Sequence, residues 1–256
     1  MIVDYFRPKT LTEAIALLQR ETPVTLPLGG GNIMSKYQEE PIAVVDLQAL
    51  GLNQIGRENN KIEIGATATL AQIEAFLTDS VFKNVIQIQA GKNQRNSGTV
   101  AGLINVADGR SALLTLLLAV DAQLIWQPGE KMISLGNWLP QRKIWHEASL
   151  ITKIVLPDVT VRFESVARTP KDRPIVAVAM AQWPSSRLRI AVGGSGPFPV
   201  LALDGTQQDD VEQAVDQAFY TAEDEWASAS YRREAGRRLA VRLASELRLN
   251  RREQVK

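Results

Sequence analysis

The sequence predicts an α+β protein, on two observations. In the first half, short apolar strands alternate with helical patterns, the mark of an α/β layer. After about residue 160, three strand patterns come in succession and two helices follow, the order of an α+β C-terminal domain with an antiparallel sheet. Taken in order, residues 2–6 read as a strand. Thr10 and Glu13 have capping-box spacing, and Leu11, Ala14, Ile15 and Leu18 repeat at helical intervals behind them. Residues 24–28 form a strand that runs into Gly29-Gly30-Gly31-Asn32. Strands follow at 43–47 and 62–64, and Thr69 caps a helix carrying Leu70, Ile73 and Leu77. Residues 95–102 hold too much glycine to be regular throughout, whereas 113–122 read as a buried helix. A strand at 123–126 leads to a turn at Pro128-Gly129, and a strand at 150–156 stops at Pro157. In the second half, strands are expected at 161–168, 175–182 and 187–192, and helices at 209–219 and 228–249.

Composition narrows the classes of function. Apolar residues make up 45% and charged residues 22% of the 256, both near globular averages, which argues against disorder. With 29 Lys and Arg against 28 Asp and Glu, the net charge of +1 argues against nucleic-acid binding by bulk charge. The absence of cysteine excludes disulfides, thiolate zinc sites, a Cys nucleophile and an iron–sulfur cluster held by this chain. A single histidine, His146, excludes a multi-histidine metal site. Asp4 and Arg7 interrupt the N-terminus where a signal peptide needs an unbroken apolar stretch of roughly 7–15 residues. The apolar run at 116–120 is far short of the ~20 residues that span a bilayer. The expectation is a soluble cytoplasmic protein.

Few residues stand out as chemistry. The glycines at 29–31 remove the side-chain wall and let backbone N–H groups converge on an anion such as a phosphate; the plainer reading is a turn. Neither a Walker A loop nor a G-x-G-x-x-G fingerprint is present. Arg95-Asn96-Ser97-Gly98-Thr99-Val100-Ala101-Gly102 offers a second set of backbone and hydroxyl donors, or a polar loop ahead of the apolar helix. His146 reads as a loop residue at the surface rather than a catalytic base. The eight arginines between Arg232 and Arg252 read as a solvated helix face or a contact for an acidic partner surface. The five tryptophans form no stacking series.

The order of these motifs resembles the FAD-binding medium subunit of the molybdenum hydroxylases, the family of xanthine dehydrogenase, carbon monoxide dehydrogenase and aldehyde oxidoreductase. PLGGGNIM at 27–34 is similar to its first flavin motif, and QRNSGTVAGLINVADGRSALLTLLLAVDA at 94–122 to its second. IEIGATATLAQIE at 62–74, LITKIVLP at 150–157, RIAVGGSGPFPVLA at 189–202 and ASASYRREAGRRLAVRLASEL at 227–247 resemble four further segments, all in register.

The resemblance implies a two-part FAD-binding domain, a small α/β part at 1–57 and a larger α+β part at 58–160, then a C-terminal domain at 161–256. It implies an oxidoreductase flavoprotein that transfers electrons through FAD. An iron–sulfur subunit with 2Fe-2S clusters and a molybdopterin subunit would be its partners in a hetero-oligomeric complex, with no catalytic substrate site and no metal on this chain. Nucleic acid and a membrane span are not expected. Residue by residue, Gly29, Gly30, Gly31, Asn32 and Ile33 would line the pyrophosphate, Asn96, Thr99, Val100, Ala101 and Gly102 would form the second wall, and Ile151 would pack on the ring system. Ile33, Leu103 and Ala112 stand where the family carries polar residues. That departure supports an alternative, a flavin-free structural or assembly subunit of such a complex. A free-standing flavin reductase is a third, remoter reading.

Overall fold

The computed structural model describes residues 1–31, 40–143, 149–170, 172–206 and 210–254, with side chains of the last helix to Leu247. Asn32, Ile33 and His146 lie outside the described residues. In chain order the elements are β1 (Ile2–Phe6), α1 (Leu11–Leu18), β2 (Val24–Leu28), β3 (Ile42–Asp46), β4 (Ile55–Glu58), β5 (Lys61–Gly65), α2 (Leu70–Phe76), α3 (Ser80–Gln89), α4 (Lys92–Ser97), α5 (Val100–Val106) and α6 (Ala112–Ala119). Then come β6 (Gln123–Gln127), β7 (Lys131–Ser134), α7 (Leu135–Trp138), β8 (Leu150–Pro157), β9 (Thr160–Val166), β10 (Val176–Gln182), β11 (Leu188–Gly193), β12 (Val200–Gly205), α8 (Val211–Ala218) and α9 (Ala229–Gln254). They form two compact units. The first comprises Met1–Leu77, Gly91–Val106 and Gln123–Leu156; the second comprises Thr78–Ala90, Ala107–Ala122 and Pro157–Lys256.

The first unit opens with a parallel sheet in the order β1-β3-β2. Its central strand, IAVVD, is buried at every position, as a strand covered on both faces must be. Ala14 of α1 packs there with Val45, Leu47 and Leu150. The Thr10 hydroxyl accepts from Glu13 N at 3.2 Å, so the expected cap forms. Its reciprocal arm lands one residue early, with the Glu13 carboxylate accepting from Lys9 N at 3.1 Å. A second sheet runs β4-β5-β8-β6-β7. Two of its strands escape the sequence reading: β4 is an exposed IGRE segment, and β7 carries exposed Lys131 and Met132, so neither shows an apolar face. On α2 both arms of the capping box close, between Thr69 and Gln72.

The second unit is an antiparallel sheet, β12-β11-β10-β9, as expected, with α8 and α9 against it. β12 completes the sheet beyond the three strands read from sequence. α3 and α6, from earlier in the chain, also belong here. α6 is buried at all eight positions, so it has no solvent face and its apolar residues follow no helical stripe.

Among the described arginines of α9 the environment varies, with Arg233 and Arg237 half-buried. Arg238 and Arg242 are exposed, as the expectation of a solvated face requires. Arg232 is instead fully buried. Its guanidinium donates to the carbonyls of Ile175, Ala222, Ala227 and Gly194 and to the Asp224 carboxylate, at 2.7–3.2 Å. The sequence pattern missed this because the acceptors are mainly backbone carbonyls brought in from three other segments.

A second ion cluster joins Asp204 to Arg187 at 2.7 Å and to Arg189 at 2.5 Å. The Arg187 hydrogen bond, ahead of the opposing effect of burial, holds the Asp204 carboxyl below the ordinary carboxylate range. The stabilisation is therefore complete above the unfolded pKa of about 3.9 and is lost as pH falls through the lower folded value. Asp204→Asn is expected to lower the melting midpoint at neutral pH, with a deficit against the native chain that shrinks below about pH 4. Thermal melts over a pH series measure it, and a deficit constant with pH would contradict the assignment.

Candidate functional site

The site in the first unit begins at the carboxyl ends of the three parallel strands, where open α/β sheets hold their ligands. β1 delivers Arg7, β2 delivers Gly29, Gly30 and Gly31, and β3 delivers Gln48. Facing them are Asn96, Ser97 and Thr99, at the junction of α4 and α5. Together with Thr67, Thr69 and Gln72 these residues line a cavity of about 560 Å³, within the usual range for small-molecule sites.

The two loops meet by backbone contact. A Cβ on Gly30 would sit 1.8 Å from the carbonyl oxygen of Ser97, so no other residue fits without moving one loop. Gly31 has φ +75°, in the region glycine favours. The amides of Gly29, Gly30 and Gly31 find no acceptor among the described residues. Such a run of unclaimed donors in a glycine loop suits an anion. No carboxylate lines the cavity among the described residues, and Arg7 brings a positive charge to it.

Thr69 and Thr99 bridge to each other, so the first turns of α2 and α5 lie side by side. Thr99 is 6% exposed. Its hydroxyl oxygen accepts from Gly102 N at 3.2 Å, which leaves the O–H free to donate. Val100 N donates to Ala68 O and Ala101 N to Ala66 O, at 3.0 and 3.2 Å. The amides of Val100, Ala101 and Gly102 are thus used within the protein. Asn96, Ser97 and Thr99 face the cavity themselves.

The structure therefore brings Gly29, Gly30, Gly31, Asn96 and Thr99 together around one cavity and sets Val100, Ala101 and Gly102 on α5 behind it. Ile151 lies in β8, 2% exposed, and does not line the cavity. Ala112 is buried at the start of α6, where Ser111 caps the helix by accepting from Leu114 N. Sequence reading overlooked Arg7 and Gln48. The signal that finds them is position: each follows the end of a strand in the same parallel sheet as the glycine loop.

A groove of similar size on α8 and α9 is lined by Glu212, Glu234, Arg237, Arg238 and Arg242. Its charges are already paired, Arg238 with Glu234 at 2.7 Å and Arg237 with Glu212 at 3.8 Å, with Glu234 also bound by Arg237 and Arg242 paired to Glu164. It presents no glycine loop and no surplus charge for a ligand.

Residues 1–159 match the family of the FAD-binding domain in molybdopterin dehydrogenase. The chain belongs to this family of FAD-binding domains. The match includes both glycine loops and the whole cavity. The chain is 36% identical over 176 residues to the nicotinate dehydrogenase FAD-subunit of Eubacterium barkeri, covering 60% of this chain and 57% of that one. It is 27% identical over 245 residues to the uncharacterized protein YgfM of Escherichia coli K12, covering 91% and 92%. Its fold superposes with a TM-score of 0.77 on carbon monoxide dehydrogenase from Hydrogenophaga pseudoflava, at 20% identity over 95% of this chain and 97% of that one. Membership makes the chain an FAD-binding subunit of the molybdenum hydroxylase type of dehydrogenase, an oxidoreductase class. The cavity of this FAD-binding domain fits the dinucleotide's diphosphate: amides with no acceptor among the described residues, two loops so close that a Cβ on Gly30 would part them, and a lining that among the described residues holds a cation and no carboxylate. Among the described residues no helix is long and apolar enough to cross a membrane, and no cluster of side chains could hold a metal ion.

Proposed function

We propose that this chain is the electron-transfer subunit of a molybdenum hydroxylase-type complex, holding FAD by its diphosphate in the cavity between the two glycine-bearing loops. The observation that carries this reading is the contact of Gly30 with the Ser97 carbonyl, which joins the two flavin motifs around one set of amide donors. Gly29, Gly30 and Gly31 present N–H groups to the phosphates, and the side chains of Asn96 and Thr99 close the opposite wall. Val100, Ala101 and Gly102 support Thr99 from behind, the last by donating to its hydroxyl. FAD supplies the ability to accept electrons singly and release them in pairs. The chain has no cysteine, so iron–sulfur clusters would reside on a partner subunit and molybdopterin on another. The two relatives named for a dehydrogenase, nicotinate dehydrogenase and carbon monoxide dehydrogenase, support a place in such a complex.

The purified chain is expected to show a flavin absorption spectrum, or to acquire one on addition of FAD, and to release FAD on denaturation. A colourless protein that takes up no FAD would overturn this reading in favour of a flavin-free framework subunit. Co-purification with iron- and molybdenum-containing chains tests the place in the complex.

A further inference from the structure

We infer that Arg7 is the counter-cation for the diphosphate of the bound dinucleotide, held at the cavity mouth by Gln48 and a buried Asp46; the inference rests on the FAD reading above. Arg7 leaves the sheet at the end of β1, and it is the only charged residue among the described lining of the cavity. A diphosphate confined among amides and hydroxyls carries negative charge that those neutral donors solvate but do not neutralise. A guanidinium meets that charge with a planar fork of donors matched to phosphate oxygens.

The surroundings of Arg7 are those of a positioned group. Asp46 is 3% exposed and accepts from the Tyr5 hydroxyl and, at 2.8 Å, from Gln48 N. It is thereby fixed, and that hydrogen bond from Tyr5 in turn raises the phenol's pKa. Arg7 Nε lies 3.8 Å from Asp46 Oδ2, and Nη2 donates to Gln48 Oε1 at 3.5 Å. Both contacts are long and the Arg7 side chain is 57% exposed, a combination that contributes little to stability. They aim the guanidinium while leaving most of its five N–H donors for a ligand. An arginine kept for folding alone would be expected to make shorter, more buried contacts, such as those of Arg232.

The test is FAD titration of the full chain, native, Arg7→Gln and Arg7→Lys, across a salt series, with thermal melts of the flavin-free proteins as the control for folding. Arg7→Gln is expected to bind FAD about 10- to 100-fold more weakly at low salt and to show a flatter salt dependence, at an unchanged melting midpoint. Arg7→Lys is expected to recover part of the affinity and the salt dependence. Binding by Arg7→Gln as tight as the native chain's, or weaker by one factor at every salt concentration, would overturn the inference while leaving the flavin reading standing. Failure of the native chain to take up FAD would overturn both, and is separated from the other results by the native titration alone.

Discussion

Arg232→Ala is expected to destabilise the second unit by about 3–5 kcal/mol, the range found when one partner of a buried charged network is removed. The loss has two parts. Arg232 is fully buried, so its removal leaves a cavity the length of an arginine side chain. It also strands five acceptors at once: four carbonyls, from Ile175, Gly194, Ala222 and Ala227, and the carboxylate of Asp224. These belong to the approach to β10, the turn after β11 and the segment between α8 and α9, so the guanidinium ties three connections to one helix. Desolvation alone would push the Asp224 carboxyl up; hydrogen bonds from Arg232 and from the Trp226 and Ala227 amides bring it below the ordinary value. Arg232→Lys is expected to fail nearly as badly, because one ammonium has three donors and no planar fork. Arg238→Ala, at an exposed position on the same helix, is expected to change stability by no more than about 0.5 kcal/mol. Urea denaturation of the three variants measures the contrast. Equal, small effects at both positions would contradict the structural role given to Arg232.

Gly30→Ala is expected to have the largest effect on cofactor binding. The new methyl would stand 1.8 Å from the Ser97 carbonyl oxygen and 2.9 Å from its carbon, both backbone atoms that cannot rotate aside. One loop must move, at a cost of about 1–3 kcal/mol in stability. The amides of residues 29–31 would then no longer face Asn96 and Thr99 at the spacing a diphosphate needs. FAD affinity is expected to fall by at least about tenfold, each tenfold corresponding to 1.4 kcal/mol. Gly56→Ala is the matched control: a Cβ there meets nothing within 4 Å, so stability and FAD affinity are expected to stay close to native. FAD titration and thermal melting of the two variants decide the matter. Native-like binding by Gly30→Ala would show that the loops do not depend on this contact to form the site.

The sequence by itself determined much of the local structure. Residues 2–6 and 24–28 form strands with the expected bounds, because short apolar runs ended by turn residues leave little choice. Thr10 and Thr69 cap the helices expected of them, because a hydroxyl before an apolar helical pattern satisfies an otherwise unpaired amide. The motif order also carried the family, since six segments in register specify more than any one of them.

Tertiary structure decided the rest. That Gly30 and Ser97, 67 residues apart in the chain, share a backbone contact is a property of the fold, as no local pattern encodes which carbonyl a glycine will meet. The amides of Val100 and Ala101 were candidate ligand donors in the sequence, yet the strand-to-helix segment at Ala66 and Ala68 claims them. Arg7 gained a place in the site only because β1, β2 and β3 run parallel and end on the same side. Arg232 lost its place on a solvated face because distant carbonyls converge on it. Hydrophobic period and capping are readable from neighbours in the chain, whereas burial and hydrogen-bond satisfaction depend on which distant segments arrive.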